Sequence, residues 1–117
     1  MDRYRLPLTL VGSLILSSCT AAWVTPTSDI QPPRPDDCEI EVFSAGPPDA
    51  SYEELGVLEG EGNLWNASLA DVLPDLKREA CRAGGDAIVL NPGQRYSSGD
   101  DDEEKYYTTA TVIRWIR

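Results

Sequence analysis

Three cysteines and one acidic run are the side chains whose type and spacing could do chemistry. The chain has 117 residues, with Cys19, Cys38 and Cys81 but no histidine. The lack of histidine excludes Ser-His-Asp and Cys-His catalysis, His-ligated zinc and a histidine proton shuttle in this chain. Lipid attachment, disulfide formation and redox chemistry remain open for the cysteines.

Cys19 ends a segment that has the layout of a lipoprotein signal. A weakly positive start precedes an apolar run at residues 6–16, which is shorter than the ~20 residues that span a bilayer. Leu16-Ser17-Ser18-Cys19 then resembles the bacterial lipobox, in which the thiol takes up a diacylglycerol before cleavage. We expect residues 1–18 to be a signal peptide and Cys19 to be the lipidated N-terminal residue. The alternative is an ordinary signal peptide with a coincidental cysteine.

The residues that follow the lipobox predict a lipidated, proline-rich tether over residues 19–37. Thr20 favours the outer membrane, because an Asp at this position would suggest retention in the inner membrane. Prolines at positions 26, 32, 33 and 35 favour extended polyproline II backbone, which makes a semi-rigid spacer. Trp23 is expected either at the membrane interface or simply in solvent.

Cys38 and Cys81 are predicted to form a disulfide. Exported proteins meet an oxidising compartment, where paired thiols usually close. Cys38 begins the first predicted strand and Cys81 lies near the end of the predicted helix, so parallel pairing of the first and third strands would bring them together. Closing a loop of this length contributes about 3–4 kcal/mol. The alternatives are two buried free thiols and a redox-active pair, which the lack of a CxxC motif disfavours.

The acidic residues are weak candidates for chemistry. Asp100, Asp101 and Asp102 could attract calcium, but the EF-hand pattern is absent and a solvated hairpin tip is favoured over a specific site. Paired carboxylates can hydrolyse sugars. The pairs here flank a predicted strand as solvent-facing charges, namely Glu53 with Glu54 and Glu59 with Glu61. We therefore expect no catalytic residue, no resident metal and no cofactor.

The charge balance limits the classes of partner. Asp and Glu number 20 against 10 Lys and Arg, for a net charge of -10. Nucleic-acid binding needs a basic face, and an acidic body is not drawn to anionic lipid. We expect attachment to the membrane through the lipid alone.

Residues 38–117 predict a small α+β domain with the order β-β-α-β-β, in which one helix packs on a mixed four-stranded sheet. The helix is predicted from near Asp71, after a short turn at residues 68–72, to Gly84-Gly85, so that Pro74 falls in its first turn. The strands follow from alternating or continuous apolar residues, at 38–43, 54–59, 87–90 and 106–116.

The last strand supplies candidates for a partner surface. Ile113 and Trp115 share one face of this strand, and Val112 and Ile116 share the other. One face must pack on the helix, and the other, if exposed, would be an apolar patch that suggests a partner. We therefore single out Trp115, Ile113 and Tyr107. The alternative is that the helix and the tether cover both faces.

Two segments together resemble a known family. The pattern YxxLGxLxG at residues 52–60 is followed by a helix and then by AxxxGGDAIVL at residues 80–90. This combination resembles the RcsF-like lipoproteins and the related small YbjQ-type domains. The resemblance implies their fold and the role of an outer-membrane lipoprotein that senses envelope stress through protein contacts. The chain departs from RcsF in having one cysteine pair where RcsF has two disulfides, and in having Gly85 where Ala is usual.

These observations predict a non-catalytic bacterial cell-envelope lipoprotein that faces the periplasm, with a protein-interaction or envelope-stress-sensing role. Its expected partners are the membrane, through the lipid, and an envelope protein. No nucleic acid and no small-molecule substrate is expected. The alternative is a cation-binding or small hydrolytic periplasmic domain.

Overall fold

The computed structural model of the chain describes residues 20–63, 67–98 and 103–116. These residues form a helix, α1 (Leu69–Arg82), and the strands β1 (Thr20–Pro26), β2 (Glu41–Phe43), β3 (Tyr52–Asn63), β4 (Ala87–Leu90), β5 (Gln94–Ser98) and β6 (Glu103–Trp115). The predicted α+β class, with one helix packed on a mixed sheet, is confirmed.

The sheet has the strand order β1-β3-β6-β4-β2, and β5 pairs with β6 beside β4. The β2–β4 pair is parallel, as the predicted disulfide requires, and the other pairs are antiparallel. The predicted count of four strands omitted β1 and β5. The sequence of β5, QRYSS, lacks the apolar alternation that reveals a half-buried strand.

The spacer predicted for residues 19–37 is wrong over residues 20–26. These residues form β1, which pairs with β3 from Thr20 opposite Gly62 to Pro26 opposite Gly56. Only the last residue of this strand is proline, so the amides before it remain available to the sheet. The following segment also contacts the domain, since the Thr27 amide donates to the Leu55 carbonyl at 3.0 Å.

Helix α1 begins earlier than predicted. Ser68 is its N-cap and accepts a hydrogen bond from the Asp71 amide at 3.3 Å, while its hydroxyl donates to the Asp71 carboxylate at 2.6 Å. Pro74 therefore lies inside the helix and not in its first turn. The chain tolerates it because Pro74 and Ala70, whose carbonyl loses a helical donor, are both exposed to water. Gly84 ends the helix with a left-handed φ of +81°.

The core lies between α1 and one face of the sheet. On this helix face, fully buried apolar side chains of the helix meet those of three strands, namely Val72, Leu76, Ala80 and Cys81 against Leu58, Ile88, Ala110 and Val112. Gly60 permits the close approach, because a Cβ there would lie 2.5 Å from a methyl group of Val72. The helix thus covers one face of the sheet and leaves the other available.

Candidate functional site

The face of the sheet opposite the helix is the candidate interaction surface, and we call it the open face. Strand alternation turns Ala22, Val24 and Leu58 toward the helix, so the residues between them point the other way. Trp23 and Val57, which are 40% and 38% exposed, lie diagonally across the β1–β3 pair. In its central part, the open face consists of Trp23, Val57, Glu59, Tyr107, Thr109 and Thr111.

Glu59 ties the aromatic side chains of this surface together. The Trp23 indole N–H donates to Glu59 Oε2 at 2.9 Å, and the Tyr107 hydroxyl donates to Glu59 Oε1 at 2.7 Å. Because Glu59 lies on β3 between the other two strands, its carboxylate links β1 to β6 across the open face. Hydrogen bonds to a charged acceptor are stronger than neutral ones. The contact therefore holds Trp23 in one orientation while much of its ring stays accessible.

The three predicted partner-surface residues have different surroundings. Tyr107 lies on the open face, half-buried. Trp115 is half-buried and packs edge-on against Phe43, with ring centroids 5.9 Å apart. Ile113 is fully buried, so its assignment to a partner surface is wrong. It lines a cavity with Pro47 and Tyr52, because the segment between β2 and β3 covers this end of the face.

Sequence reasoning did not place Val57 or Glu59 on a functional surface. The signal was present in the segment VLEGEG at residues 57–62, where Val and Glu alternate with Leu and Gly. That alternation predicts one face packed on a helix and one face in solvent. The predicted strand at residues 54–59 ends before this alternation does, and its partner β1 lies within the predicted tether.

The disulfide between Cys38 and Cys81 is present, with an S–S distance of 2.05 Å and Cα atoms 5.9 Å apart. It joins the residue shortly before β2 to the end of α1. The parallel pairing of β2 with β4, the strand that follows the helix, places the two cysteines together. This bridge holds the proline-rich segment against the domain.

Asp86 organises the chain next to the disulfide. One of its carboxylate oxygens accepts a hydrogen bond from the Trp115 amide at 2.9 Å, and the other contacts the Arg34 guanidinium at 3.2 Å. The Arg34 side chain also donates to the Gly85 carbonyl at 2.6 Å, and the backbone amide of Arg34 donates to the Cys81 carbonyl at 2.8 Å. Asp86 therefore joins the proline-rich segment to the end of β6.

An exposed ion pair lies at the C-terminal end of α1, next to the disulfide. The Arg82 guanidinium donates to both carboxylate oxygens of Asp36, at 2.8 and 2.9 Å. These hydrogen bonds, with the positive charge of Arg82, lower the pKa of Asp36 below its ordinary value of 3.8. The same contact raises the pKa of Arg82.

The predicted lipidation residue, Cys19, and the weak cation candidates Asp100, Asp101 and Asp102 lie outside the described residues. Within residues 20–63, 67–98 and 103–116, no cluster of three or more acidic or cysteine side chains is arranged to hold a metal ion. In this same part of the chain, no helix is both long and apolar enough to cross a membrane.

Comparison with known proteins adds no relative. No protein family, curated protein or solved structure matches the chain.

Proposed function

We propose that the protein is a lipid-anchored, non-catalytic interaction module of the bacterial cell envelope, and that its open face binds an envelope protein. The observation that carries this proposal is the exposure of Trp23 and Val57 next to each other on a sheet face that the helix does not cover. The lipobox at residues 16–19 supports the lipid anchor. The disulfide supports export, since disulfides persist in oxidising compartments.

The composition of the open face indicates the chemistry of the partner. Trp and Tyr provide large, rigid contact area and are enriched where proteins bind one another. Glu59 and Glu61 add negative charge to this surface, in a chain whose net charge is -10. The complementary surface is therefore an apolar patch flanked by Lys or Arg.

The resemblance to RcsF-like lipoproteins supports a narrower form of the proposal. In this form the protein is attached to the outer membrane, faces the periplasm and takes part in sensing envelope stress. The supporting residues are those of the two patterns at 52–60 and 80–90.

The anchor is tested by the intact mass of the detergent-extracted protein. We expect a chain that begins at Cys19 and carries a diacyl or triacyl mass, with alkylation of Cys38 and Cys81 only after reduction. The matched variant is Cys19→Ser, which should lose the lipid mass and leave the membrane fraction. A wild-type chain without lipid would contradict the anchor.

The open face is tested by photo-crosslinking in intact cells. A photoreactive residue at position 57 should give an adduct of defined mass with an envelope protein, and the same residue at position 70, which is exposed on the helix, should not. Glu59→Lys, introduced into the variant with the photoreactive residue at position 57, should abolish the adduct, because it reverses the charge at the centre of the surface. Equal crosslinking from positions 57 and 70 would contradict an interface on the open face.

A further inference from the structure

The predicted lipid attachment site and the first residue of the sheet are neighbours in the chain. β1 begins at Thr20, immediately after Cys19. Thr20 pairs with Gly62 of β3, and Gly62 pairs with Tyr106 of β6. We call this edge of the domain the β1 end, formed by Thr20, Gly62, Asn63, Lys105 and Tyr106. No spacer lies between a lipidated Cys19 and the sheet.

We propose that the β1 end rests on the lipid bilayer, so that the sheet stands end-on with its strands directed away from the membrane. The inference rests on the lipidation of Cys19 in the proposed function. One residue of extended chain spans ~3.3 Å. Acyl chains on Cys19 therefore hold the row that begins at Thr20 close to the lipid headgroups, and the hydrogen bonds of β1 to β3 transmit this constraint to the whole sheet.

The direction of β1 determines which part of the domain lies far from the bilayer. The strand runs from Thr20 to Pro26, over ~20 Å at the rise of an extended strand. Pro26 lines a cavity with Arg82 and Ala83 at the C-terminal end of the helix. The disulfide and the proline-rich segment therefore lie at the end of the domain that is far from the membrane.

The charges at the β1 end keep it on the bilayer surface. β6 begins at Glu103, three residues before Tyr106, so the β5–β6 hairpin extends ~10 Å past the row of Thr20 toward the bilayer. Charged residues are costly in hydrocarbon. The sheet therefore tilts within its own plane about Thr20, which keeps this hairpin at headgroup level and moves Trp115 no closer to the bilayer. The end-on arrangement also leaves the open face perpendicular to the membrane, where it is accessible to a protein partner.

Two natural tryptophans on the open face report this orientation. Trp23 lies three residues from Thr20 and level with Glu59 and Thr109. Trp115 lies six residues further along β6 than Thr109, which corresponds to ~20 Å more distance from the bilayer. A sheet lying flat on its open face would place both rings at the same height.

The experiment measures energy transfer from each tryptophan to a dansyl-labelled lipid. The full-length protein is extracted from bacterial envelopes and reconstituted into phosphatidylcholine vesicles. One variant keeps only Trp23, through Trp65→Phe and Trp115→Phe, and the other keeps only Trp115, through Trp23→Phe and Trp65→Phe. Because transfer falls steeply over the ~20 Å between the two rows, we expect Trp23 to transfer at least about threefold more efficiently.

An inserted linker provides the matched control. About 12 Gly and Ser residues between Cys19 and Thr20 add a flexible chain of roughly 20 Å in root-mean-square length. In the Trp23-only variant this insertion should reduce the transfer to the level of the Trp115-only variant. Unchanged transfer after the insertion would overturn the end-on contact.

The outcomes separate this inference from the proposed function. If the wild-type chain carries no lipid and does not float with the vesicles, the lipid anchor is wrong and the orientation falls with it. If the protein is lipidated and bound, but Trp115 transfers as efficiently as Trp23 or more, the end-on orientation is overturned while the anchor stands.

Discussion

The two faces of the sheet are formed by the same strands but have different surroundings. Leu58 and Val57 are neighbours on β3, yet Leu58 is fully buried under the helix while Val57 is 38% exposed on the open face. On the helix face, side chains of α1 pack against four strands. On the open face, Glu59 holds Trp23 and Tyr107 through hydrogen bonds. One face supplies apolar burial, and the other presents an ordered polar and aromatic surface.

This difference separates the residues that stabilise the fold from those available for binding. Single exposed apolar side chains are ordinary on protein surfaces. Trp23 and Val57 are distinctive because adjacent strands place them together and because Glu59 fixes the indole. Substitutions on the open face should therefore change binding much more than stability, and substitutions on the helix face should do the reverse.

Removal of the disulfide should have the largest effect on stability, because it is the covalent cross-link between α1 and the segment before β2. Cys38 and Cys81 are 43 residues apart in the chain. Replacing both with alanine should lower the free energy of unfolding by about 3–4 kcal/mol, chiefly because the unfolded chain gains conformational entropy when the cross-link is absent. Urea unfolding measures the change. The reduced wild type is the control and should lose a similar amount, whereas an unchanged midpoint on reduction would contradict the prediction.

The neighbours on β3 test the two faces directly. Leu58→Ala should lower the free energy of unfolding by about 3 kcal/mol, because it opens a cavity under the helix. Val57→Ala should change it by less than about 1 kcal/mol, since its side chain is partly in water already. Thermal and urea unfolding of both variants provide the measurement. Equal losses would mean that the open face is also part of the stabilising core.

The helix and the short strand β4 were predictable from local patterns. The apolar stripe of α1 and the uninterrupted run AIVL of β4 each specify their own structure. The disulfide was predictable because one assumption, parallel pairing of β2 with β4, the strand that follows the helix, brought its cysteines together. In each case a short segment or a single strand pairing is enough to specify the structure.

The parts that the sequence did not reveal depend on long-range contacts. β1 contains a proline and follows a signal-like segment, and only its pairing with residues of β3 that lie 30 to 42 positions later makes it a strand. Ile113 has the same local pattern as an exposed strand residue, but the β2–β3 segment buries it. The open face, built from β1, β3 and β6, could not be recognised until β1 had been placed.

The smallest effect is expected at the exposed rim of the helix face, where Arg82 binds Asp36. Hydrogen bonds from Arg82 hold the pKa of Asp36 below 3.8, so the carboxylate stays charged in the folded protein at a lower pH than in the unfolded chain. The stabilisation is complete above the pKa of the unfolded chain, about 3.9. It is lost as the pH falls below that value through the lower pKa of the folded state.

A titration of the Asp36 side chain by NMR measures this effect without relying on a small change in stability. In Arg82→Gln the pKa of Asp36 should rise toward 3.8, because both the hydrogen bonds and the nearest positive charge are gone. Arg78→Gln is the matched control: Arg78 acts on Asp36 only through its charge, and more weakly, so the rise should be smaller. An Asp36 pKa that does not move in Arg82→Gln would show that solvent screens the pair completely, and the rim would then contribute nothing to the difference between the faces.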